Sequence, residues 1–433
     1  MRISTRLVAF AMLLAATPVL ADPGAPVSRR DLTTAERALI AAKAYWVIRT
    51  YFAHAAGLPS GYDLEHEYRV RLTEALAAPN RRGFSLAMMK LFASLANGHT
   101  GFTDQALIEA APDAPYRIRR VEGRWTVLRS ALTTLPPGSV IATIDGEPVD
   151  SWLSPRRAYV ARSSAMEVDR AIFGSTFLFP DSFTLGLVSG TTVPINLKAT
   201  HTSLLPVAPQ QDRVEVTRRP GGIIVIRIPN FGEPQLEADA VAAVHQATVE
   251  KVPAILFDLR GNGGGNTPDK LLSAIMTAPY RGTIVETPQM VAENDAHASL
   301  DEQPPAFSAN MLRYGPGRSL PKAEAYSGRV AVLVDGGCAS ACEDFVIRFA
   351  DGKRGQIYGE PTFGSTGQPY FVDFPELRIS FQVSTKREFL PDGRPFEGVG
   401  VQPNQPVPLT IADVTDPRDR QLDNAIDLFS HSP

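Results

Sequence analysis

The stretch Ala254-Ile255-Leu256-Phe257-Asp258-Leu259-Arg260-Gly261-Asn262-Gly263-Gly264-Gly265 decides the fold class of this chain. Its first half is a nearly continuous apolar run, which is typical of a strand buried on both faces of a parallel sheet. Its second half is a glycine-rich loop, whose backbone can turn its N–H groups toward a ligand. The stretch therefore predicts a buried parallel strand that ends in a functional loop.

The same order recurs further along the chain. Val330–Val334 is a second apolar run, and Asp335-Gly336-Gly337-Cys338-Ala339-Ser340 follows it. Segments with helical spacing of apolar residues separate and follow these runs, so residues 211–415 are predicted to form an α/β core with a parallel sheet. Because the carboxyl ends of parallel strands share one edge, both glycine-rich segments are expected at the same place.

The rest of the chain divides by periodicity. Residues 22–104 show helical spacing and predict a unit of about three helices, whereas 105–210 alternate as strands do. The second region includes 137–149, which resembles the second half of a PDZ domain, although the loop that binds a carboxylate there is not recognisable. Residues 416–433 are assigned to a C-terminal tail.

Composition limits the class of partner. The 433 residues contain 44% hydrophobic and 21% charged residues, which is typical of a folded chain of two or three packed units. The net charge is -3 and there is no long basic run, which argues against nucleic acid as a partner. The sequence gives no indication of oligomeric state.

Residues 1–21 have the pattern of a secretory signal. Arg2 and Arg6 precede an apolar run over 7–16, and small residues lie before Asp22. The apolar run is too short to span a bilayer, so no stable membrane anchor is expected. We predict an exported protein, periplasmic or secreted.

The two cysteines of the chain, Cys338 and Cys342, flank Ser340. At the start of a helix this spacing places two Cα atoms about 6 Å apart, which a disulfide tolerates, and an oxidising compartment permits the bond. Two buried thiols packing a tight turn are an equally good interpretation. No metal site is predicted, because two ligands without neighbouring histidines do not complete one.

Ser340 itself lies where a buried strand turns into a helix, the general form of a nucleophile elbow. The amide of the next residue, Ala341, would be free at the helix start to stabilise an oxyanion. Taken alone, the small residues of this segment fit tight packing as well as catalysis.

Four motifs in order make the pattern specific, and the chain resembles the C-terminal processing (tail-specific) peptidase family. The motifs are Asp258–Gly265, Cys338–Glu343, Gly359–Gly364 and Glu397–Pro403. The resemblance extends over nearly all the mature chain. It implies an α/β core of the ClpP/crotonase-like kind, an N-terminal helical unit and a β-rich PDZ-like insert.

The family has two catalytic styles. In the serine-lysine branch, a lysine follows the last glycine of the third motif, but here that position is Ser365. The tricorn-like branch takes a histidine from a Gly-His-Thr motif after the helices and a glutamate from the fourth motif. This branch implies His99 as the base and Glu397 as its partner, although either residue alone fits a helix cap or a turn.

The resemblance implies peptide hydrolysis by acyl transfer through Ser340. The oxyanion is expected between the Ala341 amide and that of Gly263 or Gly264, no cofactor is required, and the substrate is a peptide or protein. Two rivals stay open. One is an inactive relative that binds a peptide or small ligand in the same cleft, and the other is an esterase or amidase with the same triad.

Overall fold

The structure is a computed structural model that describes residues 30–199, 213–289 and 310–431. The predicted signal segment, 1–21, lies outside the described residues. Helices and strands are numbered below in chain order.

The α-helices are α1 Thr34–Tyr51, α2 Leu64–Ala77, α3 Arg81–Ala93, α4 Gln105–Ala110, α5 Val149–Arg157, α6 Ala165–Ile172, α7 Pro234–Val249, α8 Asp269–Ile275, α9 Ala341–Asp351, α10 Ile411–Thr415 and α11 Arg420–His431. The strands are β1 Gly101–Asp104, β2 Tyr116–Val121, β3 Arg124–Ser130, β4 Ile141–Ile144, β5 Glu147–Pro148, β6 Ser182–Leu187, β7 Thr192–Asn196, β8 Glu215–Arg218, β9 Ile223–Arg227, β10 Ala254–Asp258, β11 Tyr280–Arg281, β12 Ile284–Gln289, β13 Asn310–Tyr314, β14 Arg318–Ser319, β15 Arg329–Val334, β16 Gly355–Gly359, β17 Tyr370–Phe374, β18 Ile379–Val383, β19 Arg387–Phe389 and β20 Gln405–Pro406.

The central sheet has six strands in the order β20-β16-β15-β10-β9-β8. Every neighbouring pair is parallel except β8 and β9, which are antiparallel at one edge. All five residues of β10 are buried, as its apolar sequence requires when helices cover both faces of a sheet. The predicted α/β class with a parallel sheet is confirmed, with one antiparallel edge strand added.

Helices cover both faces of this sheet. α7, α8 and α9 contribute to one apolar cluster, and α11 places Leu422, Ala425 and Phe429 in a second cluster on the other face. The segment assigned to a tail therefore includes a helix packed on the core. Its apolar residues recur at helical spacing, which is the signal that indicates this helix in the sequence.

The N-terminal helices α1, α2 and α3 match the predicted number. Thr33 and Glu36 form a capping box that starts α1. After α3 the chain runs through His99 into β1, which pairs antiparallel with β18 of the C-terminal half. Strand pairing therefore crosses the boundary expected at residue 104 and fixes the segment around His99 against the core.

The region from β2 to β7 is rich in strands, as its alternation predicts. It contains the β2-β3 pair and a sheet in the order β5-β4-β6-β7, with α5 and α6 between β5 and β6. We call residues 116–197 the β-rich unit. Its PDZ-like character stays a prediction. Among the described residues, no helix has the length and apolarity needed to cross a membrane.

Candidate active site

Three loops at the carboxyl edge of the central sheet form the site. They follow β10, β15 and β16, which are adjacent, so their ends meet. The Ala339 amide donates to the carbonyl of Asn262 in the first loop at 3.1 Å, and the Ser340 amide donates to the carbonyl of Ser365 in the third loop at 3.1 Å. Sheet topology therefore brings together three segments that are separate in sequence.

Ser340 lies at the turn between β15 and α9 with φ 55° and ψ -122°. A residue other than glycine rarely adopts positive φ, and such strain is concentrated at functional positions. The side chain is 9% exposed, and helix α9 begins at the next residue. This is the strand-turn-helix geometry of a nucleophile elbow.

Cys338 and Cys342 are joined by a disulfide, with their Cα atoms 5.3 Å apart. Of the two interpretations that the sequence left open, the structure has the bonded one. Both cysteines are fully buried, and the bond encloses Ser340. It therefore ties the two sides of the elbow together.

The backbone amides beside Ser340 differ in availability. In the described part of the chain, the Ala341 amide has no hydrogen-bond partner, and neither has that of Gly263. The Gly264 amide instead donates to the side chain of Asn262 at 2.9 Å. Of the two glycines considered for the oxyanion, Gly263 has the free donor.

Gly264 has another role, because no larger residue fits its position. Its φ is +93°, and a methyl group there would lie 2.5 Å from the Ala339 carbonyl oxygen and 2.8 Å from the Ala341 nitrogen. Positive φ and close backbone approach both require glycine. Gly264 therefore allows the first loop to pack directly against the Ser340 turn.

His99 is fully buried next to this loop cluster. Its Nδ1 atom lies 2.8 Å from Ser365 Oγ, and its Nε2 atom has no hydrogen-bond partner among the described residues. Burial lowers the pKa of His99 to about 3, with a further contribution from the positive charges of Lys386 and Arg162 and from His54. The imidazole is therefore neutral in the free protein.

Glu397 is also buried and lies on the other side of Ser365. Its Oε1 accepts a hydrogen bond from the Thr366 amide at 3.2 Å. Burial raises the pKa of the Glu397 carboxyl well above its usual range, and the nearby Ser365 hydroxyl opposes this shift only in part. Oε2 has no partner within hydrogen-bonding distance among the described residues. In the described part of the chain Glu397 makes no hydrogen bond to His99, so Ser365 lies between them.

A second buried carboxyl group, Glu343, organises the loop that carries Ser365. It accepts hydrogen bonds from Thr362 Oγ1, the Gly364 amide and the Ser365 amide at 2.6, 2.7 and 2.9 Å. Burial raises the pKa of Glu343 to about 8. Burial and the nearby Glu343 together raise the pKa of Glu397 well above its usual range.

A cleft of about 380 Å³ opens at Ser340. Its lining comes from the glycine loop, the start of α9 and the segment after Ser365, and comprises Gly265, Asn266, Thr267, Ser340, Ala341, Asp344, Thr366, Gly367, Gln368, Pro369, Phe371 and Lys386. The described residues contain no group of His, Cys, Asp and Glu suited to a metal ion.

Lys386 lines this cleft, so it has to be considered as an alternative proton acceptor. Its Nζ atom is 3.0 Å from Glu388 Oε1, and that charge together with Asp344 raises the pKa of Lys386 despite its burial. An ammonium group held in this way is a poor proton acceptor. Of these two groups, His99 is neutral and Lys386 is charged.

Sequence reasoning missed the part played by Ser365. In the sequence, Ser365 drew attention only because it stands where the serine-lysine branch has its lysine. The available signal was chemical: a serine directly after a glycine-rich motif has a hydroxyl that can both donate and accept.

The chain is similar to known proteases in sequence and in fold. Residues 222–407 match the model of Peptidase family S41. The carboxyl-terminal-processing protease of Synechocystis sp. is 27% identical over 251 residues, covering 56% of this chain and 52% of that protein. The chloroplastic carboxyl-terminal-processing peptidase 2 of Arabidopsis thaliana is 28% identical over 169 residues, covering 39% of this chain and 29% of that protein.

Among solved structures, mature CPAF has a TM-score of 0.69 at 15% identity and covers 92% of this chain and 96% of its own. At this identity the likeness concerns the fold alone. The chain spans about half the length of the Synechocystis relative and less than a third of the Arabidopsis one.

Fold and site together define an α/β core with a serine at a strand-turn-helix elbow. This chain is a relative of the C-terminal processing peptidases, with its core matching family S41.

Proposed function

We propose that this chain is a serine peptidase that cleaves peptide bonds by acyl transfer through Ser340. The observation that carries the proposal is the chain of contacts from Ser340 through Ser365 to His99. Ser365 accepts a hydrogen bond from the Ser340 amide with its carbonyl and contacts His99 Nδ1 with its hydroxyl. One residue therefore sets the position of the nucleophile and of the base.

The reaction has two halves. His99 Nε2 takes the Ser340 hydroxyl proton while Ser340 Oγ bonds to the substrate carbonyl carbon. The C–N bond then breaks, and His99 returns the proton to the leaving amine. In the second half, water attacks the acyl-enzyme by the same proton route and restores Ser340.

The Glu397 carboxylate selects the imidazole tautomer through Ser365. When Glu397 is ionised it accepts the Ser365 hydroxyl proton, so Ser365 Oγ must accept from Nδ1–H of His99. The lone pair is then on Nε2, where a base needs it. When Glu397 is protonated the direction reverses, Nδ1 becomes the acceptor and Nε2 carries the proton.

The negative charge that develops on the carbonyl oxygen would be stabilised by the amides of Ala341 and Gly263. Both lack a partner in the described residues, and a single donor of this kind contributes about 3–4 kcal/mol to the transition state. The Ala341 amide also lies at the positive end of α9, which favours negative charge there.

The substrate class follows from the relatives, whose names refer to carboxyl-terminal processing. We propose a peptide or protein as the substrate, with the tricorn-like Ser340, His99 and Glu397 arrangement as the catalytic group. We also propose export to the periplasm or beyond. The disulfide at the elbow supports this location, because such bonds persist in oxidising compartments.

The test compares the wild type with Ser340→Ala. We expect a fluorophosphonate probe to label the wild type at Ser340 and a peptide library to be cleaved, and both reactions to be lost in the variant. Ser94→Ala, which removes a hydroxyl bonded to Tyr62 in the helical unit, is the control and should retain both. A wild type that binds peptides without labelling or cleavage would favour the inactive binder. Cleavage of esters alone would favour the esterase.

A further inference from the structure

One residue of the β-rich unit contacts both the loop that carries His99 and the loop that carries Glu397. Ser163, in the connection between α5 and α6, accepts a hydrogen bond from the Gly98 amide at 2.8 Å through its Oγ atom. Gly98 directly precedes His99. The carbonyl oxygen of Ser163 lies against Gly398, where a methyl group would be 2.8 Å from it.

Gly398 directly follows Glu397, so Ser163 contacts the neighbours of both His99 and Glu397. These loops come from distant parts of the sequence, and neither is part of a regular element. Gly398 has φ +75°, and its amide donates to the Gly364 carbonyl at 2.7 Å. The segment 363–365 also contacts both loops, since it lies against Gly98 and bonds Gly398. Ser163 contacts the two loops from the β-rich unit and so contributes to their separation.

The same part of the β-rich unit continues onto the other site loops. The guanidinium of Arg170 lies against Gly336, where a methyl group would be 1.0 Å from Nη1. Arg170 also forms an ion pair with Glu360 at 3.7 Å, and Arg119 donates to the same carboxylate at 3.0 Å. Gly336 belongs to the loop that carries Ser340, and Glu360 belongs to the loop that carries Ser365. The contact made by Ser163 is therefore part of a continuous interface between the β-rich unit and the site loops.

We propose that Ser163 is a positioning residue of the peptidase site, holding the His99 and Glu397 loops at the separation that the Ser365 bridge requires. The inference rests on the proposed function. One neutral hydrogen bond is a small part of the stability of a whole chain. A shift of about 1 Å in a catalytic group can cost about a hundredfold in rate. Loss of the Ser163 hydroxyl should therefore affect rate far more than stability.

The neighbouring residue supplies a matched control. Ser164 caps α6 by accepting from the Glu167 amide at 3.3 Å, and its side chain makes no hydrogen bond to the proposed catalytic residues among those described. Loss of an N-cap hydroxyl costs stability comparable to the loss of one neutral hydrogen bond. Ser164→Ala and Ser163→Ala thus remove the same group from adjacent positions at similar cost in stability.

The experiment measures peptide hydrolysis, fluorophosphonate labelling of Ser340 and amide hydrogen exchange in full-length variants. For Ser163→Ala we expect kcat and the labelling rate to fall about ten- to a hundredfold with KM nearly unchanged. Exchange should rise in the peptides that contain 97–101 and 396–400. Ser163→Thr, which restores the hydroxyl, should recover most of the rate, and Ser164→Ala should retain it.

Equal losses in Ser163→Ala and Ser164→Ala would overturn the proposal, because they would indicate general destabilisation. So would an unchanged rate in Ser163→Ala. If the wild type neither labels nor hydrolyses, the proposed function fails, and hydrogen exchange then decides the positioning role by itself. Unchanged exchange in both peptides of Ser163→Ala would reject that role.

Discussion

Ser365 Oγ lies 2.8 Å from His99 Nδ1, and Ser365 directly follows the last glycine of the Gly359–Gly364 motif. In the proposed mechanism this neutral hydroxyl orients His99, the proposed base, and couples its tautomer to the ionisation of Glu397. A lysine at this position would compete with the histidine as proton acceptor. Ser365 can instead hydrogen-bond to His99 without competing for the proton.

Removal of this hydroxyl should disable the base. We expect Ser365→Ala to lower kcat about a hundredfold or more, within the range of general base catalysis, with a small change in KM. Its backbone contact with Ser340 is retained, so stability should change by about 1 kcal/mol. Steady-state kinetics and thermal unfolding are the measurements. Wild-type kcat in the variant would show that Glu397 orients His99 without Ser365.

The pH dependence of the rate should follow Glu397. Burial raises the pKa of Glu397 well above its usual range and lowers that of His99 to about 3. The proposed mechanism requires ionised Glu397 and neutral His99, so kcat/KM should rise with pH as Glu397 loses its proton. His99 is already neutral throughout that interval. The charged and titratable groups around the pair are Glu343, Glu388, Lys386, Arg162 and His54.

Glu397→Gln tests this assignment, because an amide keeps the shape without the charge. We expect kcat/KM to be low and to lack the rise that Glu397 causes in the wild type. Pre-steady-state labelling of Ser340 as a function of pH reports the same transition without a contribution from product release. A rise that persists in Glu397→Gln would assign it to another group.

Alanine substitutions at two glycines of the loop after β10 distinguish a steric clash from backbone strain. Gly264→Ala should reduce Ser340 labelling at least about a hundredfold, since its methyl group would lie 2.5 Å from the Ala339 carbonyl oxygen. Gly261 also has positive φ, +75°, but a methyl group there meets nothing within 4 Å. Gly261→Ala should therefore lose about 1 kcal/mol of stability and keep its labelling rate. Similar labelling in the two variants would argue against the packing role of Gly264.

The disulfide should act locally. Closing a loop of this size contributes about 2 kcal/mol in the chain-entropy model, so the double variant Cys338→Ala/Cys342→Ala should unfold at a lower denaturant concentration. Labelling of Ser340 should also slow, because the bond spans the elbow. Dithiothreitol should reproduce both effects in the wild type and have none on the double variant. Insensitivity of the wild type would indicate that the thiols are unbonded in solution.

Much of the fold could be predicted from local pattern. The apolar runs at 254–259 and 330–334 became β10 and β15, and their burial on both faces follows from the lack of polar residues. Ser340 could be singled out because a serine between a buried strand and a helix, in a chain that also carries the four motifs, is typical of a nucleophile elbow. The resemblance then pointed to His99 and Glu397 as its partners.

Contacts between distant segments could not be predicted in this way. Periodicity reports which face of an element is buried, but it does not report what covers that face. The pairing of β1 with β18, the contact of Ser163 with Gly98 and the place of Ser365 between His99 and Glu397 all depend on how separate units pack. The sequence also left open whether the cysteines are bonded, since that depends on the backbone of the turn.

The Ser340 segment illustrates what the sequence determines and what the tertiary structure determines. The sequence alone determined that a serine follows a buried strand, that small residues surround it and that no lysine follows the third motif. Only the tertiary structure decided that this serine has φ 55°, that Gly264 packs against it and that Ser365 connects it with a buried histidine. The reason is physical: residue types limit the conformations that a segment can adopt, but long-range packing selects among them and stabilises strained ones.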